Sequence, residues 1–70
     1  MIDLYQRVFL NCDLPESNLK KNDTAVLIDY LLHPSGGEMG CVLEVFDENG
    51  RTLDVVITLA SNISLAKVDF

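Results

Sequence analysis

The stretch LEVFDENGRTLDVVITL, Leu43 to Leu59, constrains this chain more than any other. Two runs rich in β-forming residues flank Asn49-Gly50, the strongest short-range signal for an antiparallel hairpin. Loop length then decides which side chains share a face, because a slip of one residue exchanges the two faces of a strand. A two-residue turn at Asn49-Gly50 sets Leu43 opposite Val56 and aligns Leu53, Val55, Ile57 and Leu59 with Phe46, Glu44, Val42 and Gly40. If that row is the core face, Glu44 is stranded among apolar neighbours at a cost in desolvation. A three-residue loop Glu48-Asn49-Gly50, with Gly50 left-handed in a bulge, shifts the register by one. It sets Asp47 opposite Arg51, Val45 opposite Leu53, Leu43 opposite Val55, Cys41 opposite Ile57 and Met39 opposite Leu59. The second register is the expected one, since it keeps one continuous apolar face out of water.

On the opposite face of that hairpin Val42 meets Val56, Phe46 meets Thr52, and Glu44 meets Asp54. Like charges directly opposed destabilise a sheet by roughly a few tenths of a kcal/mol or more. The economical reading is a solvated pair that spreads apart. The functional reading is a small acidic site, flanked by Val42, Val56 and Phe46, that receives a Lys or Arg from a partner. A carboxylate dyad for acid–base work is the weakest of the three, because no nucleophile or pocket is suggested beside it.

Elsewhere short extended runs alternate with turn signals. QRVFLN (Gln6 to Asn11) is the first run, although Ile2 to Leu10 could also begin as a helical turn. The loop CDLPESNLKKND follows, marked by Pro15, Ser17, Asn18 and Asn22. TAVLIDYLLH (Thr24 to His33) is apolar on both faces, as expected of a strand buried on both sides or bent to serve two sheets. Pro34 and Gly36-Gly37 end it. The third and fourth runs are Met39 to Phe46 and Thr52 to Leu59, a helical turn is expected at Ser61 to Ile63, and Ser64 to Val68 reads as the last strand. Many short strands joined by turns predict an all-β fold, and at this length a five-stranded SH3-like barrel is the economical choice.

The 70 residues make one domain, spanning 1–70. A chain this small buries roughly 60% of its unfolded surface, so its stability is modest without a partner or oligomer. Eleven carboxylates against five Lys and Arg give a net charge of −6, which argues against nucleic-acid and anionic membrane partners and suits a basic protein surface better. Asp3 and Arg7 interrupt anything resembling a signal peptide, and no apolar run approaches membrane-spanning length, so a cytoplasmic location is expected. In that compartment Cys12 and Cys41 are expected as free thiols.

No catalytic or metal-ligating constellation stands out. His33 is the lone histidine, and neither CxxC nor HxxxH spacing links it to Cys12 or Cys41. Ser17, Ser35, Ser61 and Ser64 lack a nucleophile-elbow context, and PSGGEMG lacks the Lys-Ser/Thr of a phosphate-binding loop. Lys20-Lys21 is the one basic pair, either a solvated loop tip or a hook for an acidic partner.

DLPESNLKKNDTAVLI followed by LEVFDENGRTLDVVITL resembles the small bacterial family filed as domain of unknown function 4926. The matching residues are Asp13, Leu14, Pro15, Glu16, Leu19, Lys20, Lys21, Asp23 and Val26 in the first segment, and Glu44, Phe46, Asp47, Gly50, Thr52 and Leu59 in the second. The resemblance covers nearly the whole chain, from about Val8 to Leu65. The resemblance implies an SH3-like fold and carries no assigned activity. Asn22 stands where the family has Gly, which suits a left-handed turn, and Ala25 replaces a second Gly.

The expected function is therefore a non-enzymatic, cofactor-free interaction or regulatory module that docks a protein partner. Glu44, Phe46 and Asp54, with Lys20 and Lys21 in the 13–23 loop, are the candidate contacts. One specific form is the neutralising member of a two-gene bacterial system. The alternative is a structural subunit or homo-oligomer, with Phe70 covering an edge strand of a neighbour.

Overall fold

The computed structural model describes residues 1–33 and 35–66. Within them the chain is all-β, with five antiparallel strands in one sheet: β1 (Arg7–Leu10), β2 (Thr24–Leu31), β3 (Gly40–Phe46), β4 (Thr52–Leu59) and β5 (Ile63–Leu65). The order across the sheet is β4-β3-β2-β1-β5, so β4 and β5 are its two ends. Short 3-10 turns occupy Pro15–Ser17 and Ala60–Asn62, the second one residue ahead of the helical turn expected from the sequence. The expected end of the last strand at Val68, and the Phe70 terminus, lie outside the described residues.

One face of the sheet carries the core. Val8 and Leu10 of β1, Ala25 and Leu27 of β2, Cys41, Leu43 and Val45 of β3, Val56 of β4 and Ile63 of β5 are buried together. Ile2, Leu14, Leu19 and Tyr30 pack against them. β2 reaches this face twice because a bulge at Ile28 interrupts its pairing with β3: Leu27 opposes Leu43, and Asp29 opposes Val42. The extra residue brings Tyr30 opposite Cys41 on the core side, where its hydroxyl donates to the Ile2 carbonyl at 2.6 Å. A bulge bends the strand locally, but β2 serves a single sheet and is buried on one face only, with Val26 and Ile28 half-buried and Leu31 exposed, so neither expected reading of this run holds.

The hairpin corrects the expected register. Its tip is the three-residue loop: Asp47 N–H donates to the Arg51 carbonyl at 2.8 Å, and Gly50 has φ +80°. The Asp47 carboxylate also accepts the Asn49 and Arg51 amides, at 2.8 and 2.9 Å. Phe46 then faces Thr52, as that loop requires. A second bulge comes at once, at Leu53, and the body of the hairpin runs one residue out of step. Val45 faces Asp54, Glu44 faces Val55, Leu43 faces Val56, Val42 faces Ile57, and Cys41 faces Thr58. These are the pairings of the two-residue turn, reached through the three-residue one.

The expectation fails on one premise, that the most apolar row of β4 must face the core. β3 is interior to the sheet, and Cys41, Leu43 and Val45 join the buried side chains of β2 and β1. β4 sits at the end of the sheet and follows β3, so the side of it that meets the core bears Asp54, Val56 and Thr58.

Two outcomes check this register. Val56→Ala should cost about 2 kcal/mol of stability, whereas Ile57→Ala should cost little in the monomer, although Ile57 is the larger side chain. The reverse ranking in denaturant titrations would restore the rejected register. Gly50 has open space around a Cβ, so any penalty there is conformational. Gly50→Val should lose about 1 kcal/mol or more, and Gly50→Asn much less; equal melting temperatures for the two would contradict the left-handed tip.

Candidate functional site

The register decides what lies on the outer face of the sheet. Opposed residues share a face, so Leu59, Ile57 and Val55 project outward beside Gly40, Val42 and Glu44. Leu31 and Val26 of β2 continue the same face, through their pairing with Gly40 and Glu44. Arg7 joins it from β1 through its pairing with Val26. Along β4 the exposures are 66% for Leu53, 50% for Val55, 65% for Ile57 and 46% for Leu59. Scattered exposed apolar residues need no explanation, but a whole strand face does. The core side of β4 holds one buried residue, Val56. The strand's hydrophobicity is inverted.

A cleft of about 440 Å³ opens at one end of this face, lined by the apolar Leu31, Leu32, Gly40, Ile57 and Leu59 and by the polar His33, Glu38 and Thr58. Its cause is local. Gly40 stands between Leu31 and Leu59 in the cross-strand row and contributes no side chain. A Cβ there would lie 3.7 Å from Leu31 Cβ and 3.9 Å from Ile57 Cγ2, ordinary contact distances. Glu38 is held by the Ser61 amide at 2.6 Å, and His33 Nδ1 accepts the Ser35 amide at 3.1 Å.

The acidic pair expected from the sequence does not form. Glu44 is half-buried on the outer face opposite Val55 and accepts a hydrogen bond from the Thr52 hydroxyl. Asp54 is exposed on the other face opposite Val45, and its carboxylate accepts the Val55 amide at 2.8 Å. The bulge at Leu53 separates them, so Val56 and Val42 do not flank a shared site either. Phe46 keeps its place, two residues from Glu44 on the same strand and opposite Thr52.

Lys20 and Lys21 are exposed in the 13–23 loop, on the turn between β1 and β2. Their backbones, rather than their ammonium groups, have defined roles: Lys20 N–H donates to Asp23 Oδ2 at 2.9 Å and Lys21 N–H to Asp13 Oδ1 at 2.8 Å. Asn18 and Asn22 take φ of 57° and 76°, the left-handed geometry that asparagine tolerates best after glycine. The 13–23 loop is thus organised by Asp13, Asp23 and the two asparagines.

Cys12 and Cys41 are free thiols, Cys12 half-buried and Cys41 buried. Burial raises the pKa of Cys41; a backbone hydrogen bond from the Thr58 region opposes this, and the charge of Glu38 adds to the rise. Among the described residues no three His, Cys, Asp or Glu side chains converge on a point. No helix of the described residues is long and apolar enough to cross a membrane. The row Leu53, Val55, Ile57 and Leu59 is visible in the sequence, where its apolar character assigns it to the core. The signal to the contrary is Glu44 in the row paired with it, which belongs on a face open to water. A scan against protein-family models finds no match, and searches of curated proteins and of solved structures find none either.

The Cys41 environment yields a two-part expectation. Alkylation at neutral pH should label Cys12 well before Cys41, since the thiolate is the reactive form. A raised folded-state pKa leaves Cys41 protonated where the unfolded chain ionises, so its contribution to stability is intact below the ordinary thiol range and declines as pH rises through it. Equal labelling rates, or alkaline stability unchanged by Cys41→Ala relative to the parent's own pH trend, would contradict the buried placement.

Proposed function

We propose that this chain is a non-enzymatic protein-interaction module that docks a protein partner through the outer face of β3 and β4. The observation that carries the reading is the inverted strand. β4 turns its more apolar side to solvent, and burying apolar surface is worth about 25 cal/mol per Å². A bulge at Leu53 maintains that arrangement, and bulges recur where a strand must re-aim its side chains. The contacts within this proposal are Phe46 and the Leu53, Val55, Ile57 and Leu59 row, with Glu44 beside them.

The same proposal takes the fold as an SH3-like barrel and the 13–23 loop as that of the domain of unknown function 4926 family. Its support is the strand order β4-β3-β2-β1-β5, the 3-10 turn at Ala60–Asn62 before β5, and the bent β2. The sheet itself is open, with β4 and β5 at its two ends, and the Leu14–Ser17 turn lines a crevice with Ile57 and Thr58 of β4. The narrower role, a neutralising partner of a basic protein in a two-gene bacterial system, rests on the net charge of −6 alone. Cytoplasmic placement belongs to the same proposal.

The test is a purification from the native host of the parent and of Ile57→Lys, both tagged and nuclease-treated, with bound proteins quantified. Ile57→Lys should keep the parent's circular dichroism and lose at least tenfold of the protein bound stoichiometrically to the parent, a copy of the chain itself included. A bound protein retained equally by both would place docking elsewhere, with Lys20→Glu/Lys21→Glu as the next variant.

A further inference from the structure

We infer that the occupant of the outer face is a second copy of this chain, packed sheet to sheet about a two-fold axis. The inference rests on the docking reading and names its partner. Three observations select the second copy.

The first is area. The exposed parts of Leu53, Val55, Ile57, Leu59, Leu31 and Leu32 amount to roughly 600 Å² per chain, so complete burial of two such faces gives about 1,200 Å², the lower limit for a stable specific interface. A second copy of this small face is therefore a large enough partner at that limit.

The second is shape. Leu32, 81% exposed, lines the cleft at Gly40 together with Leu31 and Leu59. In an isologous interface residue i meets j and j meets i, so one such apolar-walled cleft per chain is covered twice by a two-fold axis, each cleft closed by the exposed leucines of the other copy.

The third is the strand edge, which decides how the copies meet. Ala60 N–H donates to the Met39 carbonyl at 2.9 Å. Antiparallel alternation then turns the amides of Leu59, Ile57 and Val55 away from β3, toward the open edge. Asp54 takes the Val55 amide with its own carboxylate, and the 14–17 turn borders the edge at Ile57 and Thr58. Edge-to-edge pairing is obstructed, and it would leave the apolar row in water. Face-to-face packing buries that row and leaves the edge as it is. No charged side chain lies in the Leu53, Val55, Ile57 and Leu59 row, but Glu44 lies beside it and Glu38 lines the cleft, so the like charge of the two copies opposes association and salt screens it.

Sedimentation equilibrium of the purified chain across 1–200 µM, at low and high NaCl, tests the inference. The expected result is a dimer mass at the upper concentrations, with association strengthened severalfold by salt. Ile57→Lys should weaken it at least tenfold. Gly40→Val fills the cleft in a backbone that tolerates a Cβ, and should weaken association while leaving the melting temperature of dilute protein unchanged or higher. Lys21→Glu should leave it unaltered. A monomer at every concentration, or a dimer that survives both face variants, overturns the second copy as occupant. If in addition Ile57→Lys binds the same host proteins as the parent, the docking reading falls too. If the parent is monomeric but Ile57→Lys loses a different host protein, only the identity of the occupant was wrong, and weakening of that complex by salt would mark a basic partner.

Discussion

The structure depends on the pairing of β3 with its two neighbours through Leu43. That side chain lies opposite Leu27 on one side and Val56 on the other, and all three are buried. Because β3 is flanked by strands on both edges, its face assignment is set by the larger body of the sheet. Once Cys41, Leu43 and Val45 point inward, Val42, Glu44 and Phe46 must point outward. β4 inherits that choice whatever its own composition prefers.

The two bulges reconcile local chemistry with this constraint. At the hairpin tip, Asp47 binds two loop amides and Gly50 supplies the left-handed residue, a set of local interactions that fixes a three-residue loop. That loop alone would put Leu53, Val55, Ile57 and Leu59 inward. One unpaired residue at Leu53 absorbs the conflict, and both the tip and the central pairings are kept. At Ile28 the same device bends β2, so that Tyr30 returns to the core side. Both bulges lose a ladder interaction and gain a face.

The functional consequence lies in which face is left uncovered. A small sheet whose core, among the described residues, is nine buried side chains has modest stability of its own. The proposed docking accounts for an entire strand row left in solvent. Within that proposal the capped edge at Val55 and the dent at Gly40 direct the cover across the face, away from the strand edge. The carboxylates, in contrast, do not gather. Asp13, Asp23, Asp47 and Asp54 each commit oxygens to nearby backbone amides, so much of the chain's acidity is explained by its turns and strand ends.

Much of the architecture was legible in the residues. The all-β character, the five extended runs, the bounds of β4, the three-residue tip with Gly50 left-handed and the left-handed Asn22 all arise from local preferences, because turn chemistry and strand propensity act over a few residues. The pairing of Glu44 with Asp54 did not survive. A bulge leaves no mark in a period-two pattern that a slip of register could not also produce, and the sequence of one strand cannot say whether its apolar side meets the core or the solvent. Only the position of β4 at the end of the sheet decided that, since an end strand must follow the facing of the interior strand it pairs with.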